Sequence, residues 1–105
     1  MAVKQRPSTT AVAYATALLQ LADERRQTEP VANEMKSIGD TLAESTDLRQ
    51  FFANPGIKEE DRGALIDRVF TPRLSPTTLN FLKLLNAKGK LSILGEIADA
   101  FEMLL

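Results

Sequence analysis

Residues 10–26 read TAVAYATALLQLADERR, and the fold class follows from how that stretch repeats. On a helical wheel turned by about 100° per residue, Val12, Ala15, Leu19 and Ala22 fall in one sector. Tyr14, Ala17 and Leu21 fall in a second, and Leu18 lies between the two. Strict apolar–polar alternation, the mark of a half-buried strand, is missing. Ser8, Thr9 or Thr10 can cap the start, and Arg25-Arg26 suits the negative pole at the end. The apolar arc covers roughly 220°, twice what one packing surface of a helix needs.

The rest of the chain carries helix signals of the same kind. Thr28 reads as the N-cap of a second helix, with Glu29 and Pro30 in its first turn. Val31, Met35, Ile38 and Leu42 give that helix a single stripe. Asp47 reads as the cap of a short third helix bearing Leu48, Phe51 and Phe52, stopped by Asn54-Pro55-Gly56. A fourth is expected over 58–70, with Glu59, Glu60 and Asp61 in the first turn and Leu65, Ile66, Val69 and Phe70 on the apolar face. Ser75-Pro76 opens a fifth helix, which runs to about Lys88 and is closed by Gly89. A sixth runs from Leu91 to the end, with Leu94, Ile97, Ala98, Phe101 and Leu105 on one face. Repeats and low-complexity segments are absent, and β-branched residues are scattered. The expected architecture is all-α, a compact antiparallel six-helix bundle.

The fifth helix shares the surplus of the first. Leu79, Phe81, Leu82 and Leu85 make a core face, and Leu84 and Ala87 extend it beside Asn80 and Lys88. Its arc is again roughly 220°. Such surplus is explained if neighbouring helices, or a further segment of the protein, cover both sides. It is equally explained by a groove between helices one and five that receives an amphipathic helix from another chain. Ala13 and Ala17 would let a partner backbone approach, and Tyr14 would anchor it with apolar bulk and a polar tip.

Composition removes most other functions. At 105 residues with 44% hydrophobic content, the chain fits one domain with one modest core. It has no His and no Cys, which removes the commonest general base, thiol nucleophiles and most zinc ligand sets. Thirteen basic against 14 acidic residues leave a net charge of −1, a poor match to a phosphate-binding surface. The carboxylates at 59–61 suit a helix N-terminus better than a metal site. Gly89-Lys90 fails as a phosphate loop, because Leu84 and Leu91 stand where Gly and Ser or Thr are required. The first ten residues carry Lys4 and Arg6 with no apolar run behind them, unlike a signal peptide. Met103-Leu104-Leu105 is an apolar end with no closing residue, and reads as the edge of a fragment with a further segment beyond.

Tyr14-Ala15-Thr16-Ala17-Leu18 followed by Leu21-Ala22 resembles the opening helix of the delta subunit of F-type ATP synthase, the oligomycin-sensitivity-conferring protein family. Phe52-Ala53-Asn54-Pro55 is similar to that family's turn after its third helix. Ser75-Pro76-Thr77-Thr78-Leu79-Asn80-Phe81-Leu82, Leu84-Leu85 and Lys88-Gly89-Lys90-Leu91 resemble its most recognisable block, and Glu96-Ile97 with Phe101 fits its close. Lys90 departs from the family's frequent Arg, which would forgo a bidentate contact. The resemblance runs from about Thr10 to Leu105 and implies the family's N-terminal six-helix domain over residues 1–105, with a C-terminal stalk-binding domain outside it.

The resemblance further implies a non-catalytic stator without cofactors, at the cytoplasmic face of a bacterial inner membrane. In the family this domain binds N-terminal helices of the alpha subunits on helices one and five, and the other domain meets the b subunits. Carried over, the docking residues are Tyr14, Ala17, Leu18, Leu21, Asn80, Leu84 and Lys88, and geometry adds Ala87. The alternative is a small helical RNA-binding domain of the antitermination type, which would have to use Lys83, Lys88 and Lys90 as its basic face.

Overall fold

The computed structural model describes residues 6–105; Lys4, part of the leading segment read as unlike a signal peptide, lies outside them. The described residues form six α-helices and no strand: α1 (Thr9–Glu24), α2 (Thr28–Glu44), α3 (Thr46–Ala53), α4 (Glu59–Val69), α5 (Pro76–Ala87) and α6 (Leu94–Leu104). A 3-10 turn, Leu91–Ile93, leads into α6, where one continuous helix was expected.

Helix α6 is the centre of the packing, with α1 against it on one side and α2 on the other. Its buried residues Leu94, Ile97, Ala98, Ala100 and Phe101 cover an arc of about 160°, wide enough for two neighbours. Ala98 faces α2 so closely that a Cβ on Gly39 would stand 3.4 Å from its own. Small residues at that crossing let the backbones approach and let Val31, Met35, Ile38 and Leu42 pack down on α6. Leu105, expected on the same face, is 61% exposed, because α6 ends one residue earlier. The helix α4 packs on α5, and α5 also touches α2. Of the face expected for α4, only Ile66 and Phe70 are fully buried, with Leu65 and Val69 half-covered at the edge.

Several helix ends are closed differently from the local reading. Ser8 caps α1 as expected, accepting from the Ala11 amide at 3.1 Å. Gln27, not Thr28, precedes α2, and Thr28 donates its hydroxyl to Asp23 instead. Ser45, not Asp47, caps α3, accepting from the Leu48 amide at 3.1 Å, with Asp47 in the first turn. Arg49 reaches back from α3 to the last carbonyls of α2, donating to Leu42 and Ala43 at 2.5 and 2.9 Å. Ser75 does precede α5, but its own hydroxyl donates to Glu34 Oε1 at 2.8 Å. Glu34 of α2 also accepts from the Ser75 amide and from the Thr78 hydroxyl, the latter at 2.9 Å. A carboxylate from another helix thus does the capping, where the dipole favours negative charge.

The ends of α1 and α5 share one geometry. The Gln27 amide donates to Ala22 O at 2.7 Å across Arg26 (φ 55°), and the Lys90 amide to Leu85 O at 2.8 Å across Gly89 (φ 67°). Both turns need a left-handed residue, which glycine supplies at no steric cost and arginine does not. A Cβ on Gly89 would meet nothing within 4 Å, so its cost is backbone strain alone. Gly89→Ala is expected to lower stability by about 1 kcal/mol and Arg26→Gly to raise it by about 0.5–1 kcal/mol, as read by urea unfolding. Equal effects of the same sign would contradict this description of the two turns.

Candidate docking face

The surplus apolar surface of α1 lies on a shoulder rather than in the core. The buried stripe is Ala11, Ala15, Leu18 and Ala22, an arc of only about 60°. Leu18 is 1% exposed, so its expected place among the docking residues is corrected: it is a core residue beneath that surface. To one side of the stripe stand half-buried Tyr14 and Leu21, followed by exposed Ala17 and Ala13. To the other stand Val12 and Leu19, half-buried and, like Tyr14, packed against the core.

On α5 the division runs differently. Thr77, Phe81, Leu85, Thr78, Leu82 and Asn86 are buried and span about 180° of the wheel. Neighbouring helices thus account for most of the apolar surface of α5, which packs on α4 and α2, and Leu79 sits at the margin rather than in the core. The remaining arc carries Asn80, Leu84 and Ala87, all exposed, and exposed Lys88 follows the last residue of the helix. Leu84 is 44% exposed, a large aliphatic side chain held in water by a helix whose other face is saturated.

A polar clamp ties the end of α1 to the start of α5. Arg25 Nη1 donates to Thr77 Oγ1 at 3.1 Å, and Thr77 Oγ1 donates to Gln27 Oε1 at 2.7 Å. On the wheel, Arg25 belongs to the Tyr14–Leu21 shoulder, and Thr77 borders Leu84 on α5. The end of α1, expected to be simply solvated, is therefore tied to the start of α5, and the outward strips of both helices begin from that knot. At the other end of α5, buried Asn86 accepts from Arg62 Nε at 2.8 Å and donates to Glu59 O at 2.9 Å, fixing α5 on α4. Thr77, Thr78 and Asn86 carry this frame, and periodicity gave no sign of them. The one available signal was three polar residues in positions that an apolar face would occupy.

Asn80, Leu84, Ala87, Ala13 and Ala17 are exposed on the outward strips of the two helices. Five surface cavities, the largest about 380 Å³, are lined by residues of α2 to α4, the 3-10 turn, α6 and adjoining loops. None of the five takes a residue from α1 or α5. Tyr14, Ala17, Leu21, Leu84 and Ala87 thus offer apolar contact and close backbone approach to something laid across them, with Asn80 and Lys88 at the rim.

Comparison with known proteins bears on what that something is. Residues 10–105 match the family model described as ATP synthase delta (OSCP) subunit. The ATP synthase subunit delta of Trichodesmium erythraeum is 37% identical over 92 residues, covering 88% of this chain and 50% of the relative. The chloroplastic ATP synthase subunit delta of Ochrosphaera neapolitana is 37% identical over 89 residues, 85% of this chain and 50% of the relative. A chain in the cryo-EM structure of the Toxoplasma gondii mitochondrial ATP synthase hexamer superposes with a TM-score of 0.83 at 27% identity. That likeness covers 90% of this chain and 53% of the other. The chain spans about half the length of the curated relatives it matches.

The clamp yields a test of its own. Thr77→Val keeps the shape of the side chain and removes both hydrogen bonds, so it should cost about 1 kcal/mol in urea unfolding. Helical circular dichroism should not change. Unaltered stability would mean that the Arg25–Thr77–Gln27 knot does not hold the two helices together.

Proposed function

Because the chain belongs to the ATP synthase delta (OSCP) subunit family, we propose that residues 1–105 form the N-terminal docking domain of a non-catalytic stator subunit. In this reading the domain sits on the catalytic head of a proton-translocating ATP synthase and receives the N-terminal helix of an alpha subunit. That helix lies along Tyr14, Ala17 and Leu21 of α1 and Asn80, Leu84, Ala87 and Lys88 of α5. Contact with the b subunits falls to the half of the relatives' length that this chain does not span. The place of action is the cytoplasmic face of a bacterial inner membrane, reached as a peripheral member of the complex. No helix among the described residues is long and apolar enough to cross a membrane.

One observation carries the reading: Leu84 stands 44% exposed on an arc of α5 that no helix among the described residues covers. A stator contact is loaded at every turnover, so its useful property is slow dissociation, which apolar burial around an aromatic anchor supplies better than exposed ion pairs. Leu18 contributes from beneath, by holding the shoulder rigid.

Calorimetric titration with a synthetic peptide of the alpha subunit's N-terminal segment from the same genome tests this. The expected result is one-to-one binding with a negative heat-capacity change. Leu84→Asp should weaken it at least tenfold while leaving the melting of this chain nearly unchanged, since the side chain already faces water. Tyr14→Ala should weaken it too, at a cost of about 1 kcal/mol in stability, because Tyr14 also packs on the core. A folded chain that does not bind the peptide would overturn the proposal.

A further inference from the structure

Charge on the docking face differs from charge on the chain. The whole sequence is slightly acidic, at −1, yet the uncovered strip of α5 is bracketed by two ammonium groups. On the wheel, Lys83 lies beyond Ala87 on the outer edge and Lys88 beyond Leu84 on the edge toward α1. Both are exposed. Arg25 adds a guanidinium at the clamped end, where it donates to the neutral Thr77 hydroxyl. The Glu34 carboxylate at the start of α5 is already engaged by the Ser75 and Thr78 hydroxyls. Asp67 stands 3.6 Å from Lys83, with both side chains more than half exposed, and Glu24 lies at the outer margin of α1. An ion pair that exposed holds Lys83 only weakly. Asp40 and Glu44 of α2 and Glu102 of α6 lie on other elements, whereas the acidic first turn of α4 begins at Glu59, whose carbonyl accepts from Asn86 near the far end of α5.

We infer that the helix received on this face carries carboxylates along the flank that meets α5, and that Lys83 and Lys88 recruit and orient it. The inference rests on the docking reading and adds the chemistry of the partner. The apolar strip fixes how long the complex lasts. The ammoniums set how fast it forms and which flank of the incoming helix turns toward α5, since rim charges act mainly on association rate and its salt dependence. A helix with basic residues on that flank would be repelled.

Stopped-flow association of the wild-type chain with the alpha N-terminal peptide, and with a peptide whose Asp and Glu are replaced by Asn and Gln, gives the test. The chain is compared with a Lys83→Glu/Lys88→Glu variant and a Leu84→Ala control, each first shown to melt like the wild type. At about 0.05 M salt the double reversal is expected to slow association about tenfold and change dissociation less than twofold. The difference should vanish near 1 M salt, where screening shortens to about 3 Å. The amide peptide should associate slowly with the wild type and gain nothing further from wild-type lysines over reversed ones. Leu84→Ala should act on dissociation alone. If the reversal leaves association unchanged while Leu84→Ala speeds dissociation, the charge inference is overturned and the docking reading stands. A wild-type chain that does not bind the peptide at all overturns both.

Discussion

Everything in this domain is arranged around the crossing of α2 over α6. Gly39 and Ala98 meet there, and a Cβ on Gly39 would stand 3.4 Å from that of Ala98. The close approach lets Met35, Ile38 and Leu42 of α2 and Leu94, Ile97 and Phe101 of α6 bury almost completely, each contributing about 1.5–3 kcal/mol against exposure. With α2 on one side, α6 can take α1 on the other through α1's small residues Ala11, Ala15 and Ala22. A narrow alanine stripe suffices for that contact. The consequence is functional: α1 is anchored by about a sixth of its circumference, and its larger apolar side chains remain available.

The second constraint is polar and acts at helix ends. Glu34 reaches from α2 to the start of α5, Arg49 from α3 to the end of α2, and Arg62 from α4 to Asn86 of α5. Arg25 and Gln27 meet at Thr77. These bonds tie helix ends together, and no buried side-chain nitrogen or oxygen among the described residues lacks a partner. Together they fix the angle between elements that share little apolar contact, above all α1 and α5. The proposed docking face, made of two helices that barely touch, would depend on such ties for its shape.

The helices themselves were legible because their apolar residues repeat at 3.6 and their boundaries carry Ser, Pro, Asn and Gly. The Val31, Met35, Ile38, Leu42 stripe of α2 is buried residue for residue. The outward strip of α5 was also readable, since Leu84 and Ala87 lie off the axis of Phe81, Leu82 and Leu85. Leu18 was misplaced because an apolar arc of roughly 220° does not say which part of it meets the core. Only the neighbour decides that, and here the buried stripe joins Leu18 to Ala11, Ala15 and Ala22, leaving Val12 and Leu19 on one flank and Tyr14 and Leu21 on the other. The caps at Gln27, Ser45 and Glu34 escaped local reading for a related reason. Two of them depend on which of several adjacent Ser, Thr or Asp residues leaves the helix first, and the third comes from 41 residues away. Arg26 in a left-handed turn has no local signal at all, since the tertiary clamp at Thr77 holds it against its own preference.

The central claim is that the uncovered shoulders of α1 and α5 are one surface for one helix. Nuclear magnetic resonance of the labelled chain, recorded as the alpha N-terminal peptide is added, tests it most directly. The account predicts that the signals of Tyr14, Ala17, Leu21, Asn80, Leu84 and Ala87 shift together and saturate at one equivalent. It predicts that Met35, Gly39, Ala98 and Glu102, which line the largest cavity on the α2–α6 side, stay in place. Shifts concentrated along that α2–α6 furrow, with Leu84 and Tyr14 unmoved, would contradict it.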